Sequence, residues 1–202
     1  GYTMLALLGE GESFRARIAT RRVGANDAPI NWVLVSPSDR VIQRGEIPVG
    51  ESAELDLPVP EPGTYALFVQ TNKNNAKVTL LNEHAALSGR TIGFIYQTPR
   101  AYFWVPEGME KFTVRFSGSW PGETVRVRVH DPEGNEAASA ETTRAGEQPI
   151  EVTVPAGQSG KAWSLTFEKT DLGVLEDYRV TLGEGLPPYW AHAADRLVLP
   201  AR

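Results

Sequence analysis

Apolar side chains recur at every second position over short stretches of the chain. Gly, Pro, Asn or Asp interrupts each stretch before a helical repeat can build up. Phe14, Ala16 and Ile18 alternate with Arg15 and Arg17; Ile30, Trp32 and Leu34 alternate with Asn31 and Val33; Leu55 and Leu57 alternate with Glu54 and Asp56. Each stretch predicts a β-strand with one buried face, because successive side chains of a strand point to opposite sides of its sheet. Turn signals stand at Pro37-Ser38-Asp39, Pro60-Glu61-Pro62-Gly63 and Asn72-Lys73-Asn74-Asn75, where Pro presets φ and Gly or Asn tolerates a positive one. The pattern predicts an all-β, antiparallel protein.

The same words occur twice in the same order, at an offset that drifts between 95 and 102 residues. Phe14 answers Phe112, and Pro37 answers Pro132 of the Asp131-Pro132-Glu133-Gly134 turn. Leu55-Asp56-Leu57-Pro58 answers Val152-Thr153-Val154-Pro155, Tyr65-Ala66-Leu67 answers Trp163-Ser164-Leu165, and Val78-Thr79-Leu80 answers Val180-Thr181-Leu182. Five ordered matches predict two tandem antiparallel β-sandwiches with jelly-roll or Greek-key-like connections, related by internal duplication. The first covers residues 1–86 and the second residues 87–202 with its C-terminal tail, with the boundary at residues 86–90.

Composition narrows the function classes. The 202 residues carry 20 Lys and Arg against 25 Asp and Glu, a net charge of −5. That balance provides no basic footprint for nucleic acid. Without cysteine there is no disulfide, thiolate metal site or Cys nucleophile. No apolar run approaches the ~18 residues of a membrane span. The opening Gly1-Tyr2-Thr3-Met4 lacks the pattern of a signal peptide and reads as a cut from something longer.

Parity along the strands separates core from surface. Trp32 shares its face with Ile30 and Leu34, and Trp163 with Leu165 and Phe167, so both are expected in the core. Tyr102 and Trp104 are expected to serve inter-sheet or inter-domain packing. Trp120, in Ser117-Gly118-Ser119-Trp120-Pro121-Gly122, has no aromatic counterpart in the first repeat; it is a lid on a sheet edge or a stacking platform. Tyr189 and Trp190 follow Leu186-Pro187-Pro188, and either pack back on the sandwich or form a second platform. Arg126, Arg128 and His130 alternate with Val125, Val127 and Val129, and Arg115 projects from the preceding strand, a small basic stripe on an acidic protein. Its guanidinium forks suit carboxylate or sulfate, or else pair with acidic residues on neighbouring strands.

Chemistry beyond binding finds little support. There is no G-x-S-x-G elbow, H-E-x-x-H, P-loop or dinucleotide fingerprint, and no spacing links His84, His130 and His192 as metal ligands. Carboxylates gather at Asp131 and Glu133 and at Asp171, Glu176 and Asp177, but match no Ca²⁺ signature. No metal site and no cofactor are therefore assigned. Among 25 acidic residues no pair stands out as a glycosidase couple.

The segments Tyr102-Phe103-Trp104-Val105-Pro106-Glu107-Gly108, Val127-Arg128-Val129-His130-Asp131-Pro132-Glu133-Gly134 and Glu176-Asp177-Tyr178-Arg179-Val180-Thr181-Leu182 resemble bacterial pre-peptidase C-terminal-type and related carbohydrate-binding-like sandwiches. The resemblance covers each repeat through strand and turn words and carries no ligand motif. It implies an accessory module appended to secreted glycoside hydrolases, lyases or peptidases. The sequence is thus expected to be a non-catalytic accessory module of an exported bacterial carbohydrate-active enzyme, secreted, periplasmic or cell-surface. It would bind polysaccharide by stacking on Trp120 or the Tyr189-Trp190 pair, with Arg126 and Arg128 bonding hydroxyls or acid groups. The alternative is a structural spacer or interaction module that braces the catalytic domain of the same parent chain. A small polysaccharide lyase is a third reading, which requires His130 beside a Tyr and an Arg on a concave face.

Overall fold

The computed structural model describes residues 1–119, 122–143 and 146–199, and divides into two compact units, Gly1–Ser88 and Gly89–Leu199. The strand ladders of both are antiparallel. In the first unit, β1 (Tyr2–Leu8), β3 (Ile30–Val35), β4 (Val41–Ile47), β6 (Gly63–Gln70) and β8 (His84–Ser88) lie in the order β8-β1-β6-β3-β4. A facing sheet of β2 (Ser13–Arg21), β5 (Ser52–Pro58) and β7 (Asn75–Leu80) has the order β5-β2-β7. Only β3 and β4 join as a hairpin within one sheet; every other connection crosses between the sheets.

The second unit winds the same way. Strands β10 (Ala101–Val105), β12 (Arg126–His130), β13 (Glu136–Glu141) and β15 (Lys161–Glu168) lie in the order β10-β15-β12-β13, which mirrors β1-β6-β3-β4. Strands β11 (Lys111–Gly118), β14 (Gln148–Thr153) and β16 (Asp177–Leu182) lie in the order β14-β11-β16, which mirrors β5-β2-β7. One strand has no mirror: β9 (Thr91–Ile95) pairs with the outer edge of β16. The short β17 (Tyr189–Trp190) runs into a bridge between Tyr102 and Ala191, beside β10. The division falls after Ser88, within the expected boundary at residues 86–90, because His84–Ser88 form β8 against β1.

The matching words sit on matching strands, and their hydrogen bonds repeat. In the β3–β4 turn, Ser36 N–H donates to the Arg40 carbonyl (2.8 Å) and Asp39 N–H to the Ser36 carbonyl (3.0 Å). In the β12–β13 turn, Asp131 N–H donates to the Asn135 carbonyl (2.9 Å) and Gly134 N–H to the Asp131 carbonyl (2.9 Å). Asp39 and Gly134 hold the positive φ that closes each turn (58° and 89°), a conformation Gly adopts freely and Asp tolerates. The buried aromatic tips repeat too: Tyr65 Oη donates to the Glu61 carbonyl (2.7 Å), and Trp163 Nε1 to the Gln158 carbonyl (2.9 Å). Each ring thereby fixes the turn that precedes its own strand.

Between the sheets the cores are filled by different side chains to the same end. In the first unit Trp32 lies between Gly45 and Val69 in the cross-strand row; in the second, Val127 lies between Ala140 and Phe167. The aromatic ring has moved one strand over, and the row keeps a comparable volume. Gly45 is required by that row: a Cβ there would meet the Trp32 ring at 2.9 Å. In the second unit Phe103, Phe112 and Trp163 stack edge to face across the gap, with centroids 5.6 and 5.2 Å apart. Of the two packing roles expected of Tyr102 and Trp104, the inter-sheet one falls instead to Ala101, Phe103 and Val105, the inward residues of β10. The two-residue period turns Tyr102 and Trp104 to the outer face, where both are half-buried.

Replacing Tyr65 by Phe removes one buried hydrogen bond and leaves the ring in place. The expected loss is about 1 kcal/mol, read as a lower urea midpoint at unchanged slope. An unchanged midpoint would show that the Glu61 carbonyl finds an equal partner elsewhere.

Candidate functional site

The outer face of the β10-β15-β12-β13 sheet gathers the richest polar chemistry of the second unit. Because Val125, Val127 and Val129 fill the core, Arg126, Arg128 and His130 must point outward. The Asp131–Asn135 turn then sets β13 against β12 so that Arg126 lies opposite Glu141 and Arg128 opposite Ser139; on the other side Arg126 lies opposite Glu168 and Arg128 opposite Thr166. Arg126 forms a charge-assisted pair with Glu141 through Nε and Nη2. Arg128 bonds Glu136 (2.5 Å) and Glu168 (3.1 Å), and Glu168 also lies 3.9 Å from Arg126. Two guanidiniums thus meet three carboxylates. The carboxylates of Glu136 and Glu168 hold the Arg128 pKa above its ordinary value, and the Ser139 hydroxyl, then Arg128, holds that of Glu136 below the usual carboxylate range.

The basic stripe expected to receive an acidic polymer is therefore internally neutralised. With Arg100 on the same face, three guanidiniums stand against three carboxylates, which leaves no excess positive charge to draw a carboxylate or sulfate. Arg115, expected beside it, lies on β11 in the opposite sheet. Counting outward from the Asp131–Asn135 turn puts Ala140 across from Arg126; the bulge between Val129 and His130, which the sequence does not mark, shifts the register by one and brings Glu141 there.

His130 is buried and its Nε2 bonds the Thr166 hydroxyl at 2.8 Å. Burial, then the Arg100 guanidinium, holds its pKa below the ordinary value, so the ring is neutral near pH 7. Arg100 reaches the Ser164 hydroxyl at 3.3 Å, and Ser164 is itself buried between His130 on β12 and Tyr102 on β10. An Arg thus lies near His130, as a lyase requires. Tyr102, however, is two strands away, about 10 Å in sheet spacing, with Ser164 between.

The expected stacking platforms fare differently. Trp190 is 4% exposed, its Nε1 donates to the Gly89 carbonyl at 2.7 Å, and its ring lies 6.2 Å from Phe94 and 6.1 Å from Phe103. It is a core residue with no free face for a sugar ring. The segment after the last full strand is drawn in by two backbone bonds between Tyr102 and Ala191, of 2.7 and 3.0 Å, so Trp190 closes the end of the sandwich. Tyr189 beside it is half-buried. Trp120 lies outside the described residues.

The Asp131–Glu133 loop is occupied as well. Asp131 accepts N–H bonds from Glu133 (3.0 Å) and Asn135 (2.9 Å) on Oδ1, and a 3.2 Å bond from the Asn135 amide on Oδ2. Although burial opposes ionisation, the bonds from Asn135, Gln158 and Glu133 together hold its carboxyl below the usual range. Its oxygens serve the turn. Among the described residues no group of three or more His, Asp or Glu side chains is arranged to hold a metal ion.

No known protein family matches the chain, and no curated protein does. Among solved structures the chain is similar to the infectious bursal disease virus Gx strain, at 10% identity and a TM-score of 0.21 over 97% of this chain. It is similar to the Gt strain at 13% identity and a TM-score of 0.17 over 94%. The chain spans about 60% of the length of those viral chains. Likeness this slight bears on neither fold nor function.

Two expectations follow from this geometry. Trp190→Ala empties a core position and costs about 3–5 kcal/mol, read by thermal or urea unfolding; a near-neutral change would return Trp190 to the surface. For His130, a folded pKa below the unfolded one means the unfolded chain binds the proton first. Stability therefore falls as pH drops below about 6.5 and levels off below the folded value. His130→Gln should flatten the decline that sets in below about pH 6.5, and a decline equal to the parent's would assign it elsewhere.

Proposed function

We propose that the chain is a non-catalytic structural module, a pair of alike sandwiches that spaces or braces the domains of an exported bacterial protein. The observation that carries this reading is the burial of Trp190, with its indole N–H spent on the Gly89 carbonyl. The ring expected to hold a sugar instead completes the core. The pairing of Arg126 and Arg128 with Glu136, Glu141 and Glu168 supports it from the electrostatic side. So does the placing of Tyr102 away from His130, which leaves a lyase without its acid and base side by side. Export, and attachment to a catalytic domain of the same parent chain, follow from the resemblance to pre-peptidase C-terminal-type sandwiches. Such a module contributes rigidity, and its surface charges keep it soluble rather than select a ligand.

Affinity electrophoresis of the chain against neutral and acidic polysaccharides, with Trp120→Ala and Arg128→Ala beside the parent, tests the reading. The expected result is no retardation on any polymer. Retardation that Trp120→Ala abolishes would replace bracing by polysaccharide binding through that ring. Retardation lost in Arg128→Ala alone would place the polymer on the β12 face.

A further inference from the structure

The two units follow one strand plan, but only the second completes it. The outer edge of β16 is paired by β9, with Ile95 opposite Asp177, Phe94 opposite Tyr178, Gly93 opposite Arg179, Ile92 opposite Val180 and Thr91 opposite Thr181. The equivalent strand of the first unit, β7, is the end of its sheet. Thr79 and Leu80 stand where Thr181 and Leu182 stand, and Ala76, Lys77 and Val78 where Tyr178, Arg179 and Val180 do.

Hydrogen-bond parity shows what the missing strand leaves open. Leu182 N–H donates to the Arg90 carbonyl at 2.9 Å, ahead of β9, so Leu182, Val180 and Tyr178 direct their backbone groups to the β9 side; Gly183 N–H donates to the Thr113 carbonyl on β11. In the first unit Leu81 N–H donates to the Arg15 carbonyl on β2 at 2.9 Å, and the alternation continues through Thr79 and Lys77. Ala76, Val78 and Leu80 therefore direct N–H and C=O outward, and no strand among the described residues pairs with them. Their side chains point inward, yet all three are half-buried, whereas Tyr178, Val180 and Leu182 are buried. The difference is the cover that Ile92 and Phe94 provide: Phe94 lies 5.5 Å from Tyr178 and 4.8 Å from Phe167.

We infer that the β7 edge of the first unit is a strand-docking site, which takes an extended, antiparallel segment of a partner polypeptide with the chemistry of β9. Docking by strand addition draws affinity from main-chain bonds and specificity from alternate side chains. The register of β9 specifies those side chains. An aromatic residue falls opposite Ala76, where the small side chain leaves room; a β-branched residue falls opposite Val78; a hydroxyl falls opposite Thr79, as Thr91 Oγ1 meets Thr181 Oγ1 at 2.9 Å. Opposite Lys77 the segment carries an acidic or small residue. Lys77 and Arg21 are exposed on the outer face beside the edge and form no ion pair among the described residues, so an acidic side chain is matched there. Lys77 is also the kind of charge with which sheet edges resist pairing with their own copies, which disfavours a second copy as occupant.

The test uses the whole chain, isotope-labelled, and a capped peptide with the sequence of residues 89–97. The expected result is saturable binding that slows amide exchange at Ala76, Val78 and Leu80, by about tenfold when peptide stands at ten times its Kd. A peptide with Ser in place of both Ile92 and Phe94 should bind at least about tenfold more weakly if apolar cover drives docking. In the chain, Val78→Pro removes an edge-directed N–H and keeps the β2 ladder through Lys77 and Thr79; an edge strand tolerates Pro there. It should retain the protected amides of β2 and lose peptide binding. Absence of protection at Ala76, Val78 and Leu80 at millimolar peptide overturns the inference, as does binding unaffected by Val78→Pro. Protection of the same amides that rises with protein concentration without peptide overturns it in favour of a second copy. None of these outcomes depends on whether the chain braces a catalytic domain or binds polysaccharide.

Discussion

Each unit consists of two sheets that must meet across a gap of about 10 Å, and the rest of the structure depends on filling that gap with no void. The constraint acts on rows of side chains rather than on single positions. Trp32, Gly45 and Val69 fill one row; Val127, Ala140 and Phe167 fill its counterpart. A large ring at β3 demands glycine on β4, and when the ring moves to β15 the other two positions become valine and alanine. Conserving volume in this way is what cores tolerate best. It also explains why aromatics in this chain are poor guides to a ligand: Trp32, Trp163, Phe103 and Trp190 are each needed to fill space.

Once the inward positions are assigned, the outer faces follow. A strand that gives Val127 and Val129 to the core must present Arg126, Arg128 and His130 on its other side, whatever their use. The neighbouring strands answer with carboxylates, and cross-strand pairs of opposite charge are the sheet's ordinary way of making such a face stable. Solvent screens these pairs, so each contributes little to stability. Their larger effect is to cancel the local field that a polyanion would follow.

How far the sequence speaks depends on how local each determinant is. Strand alternation and turn words are local, and Phe14 with Phe112, Pro37 with Pro132 and Tyr65 with Trp163 are legible without coordinates. The buried state of Trp190 is not, because its partners are the Gly89 carbonyl, Phe94 and Phe103, about a hundred residues away, and two prolines before it make the segment look like a tail. The pairing of Arg128 with Glu168 needs the register of a strand reached through two changes of sheet. Strand β9 is hard to read in the sequence for a related reason: Thr91-Ile92-Gly93-Phe94-Ile95 alternates weakly, adjoins a boundary, and has no counterpart in the first unit.

That unmatched strand separates two ways of ending a sheet. Where β9 is present, β16 offers Tyr178, Val180 and Leu182, and the cover of Phe94 makes a large ring at 178 profitable to bury. Where no strand follows, β7 offers Ala76 in the first of those places, and exposes less apolar surface than a tyrosine there would. The Asn74 side chain ties the strand's beginning back to Val23 N–H (3.0 Å) and the Ala28 carbonyl (2.8 Å), so the edge is ordered without a neighbour. An edge that is already straight and held loses little conformational freedom when a strand arrives. The first unit thus stands folded with its last position open, and filling that position requires no rearrangement of the core beneath it.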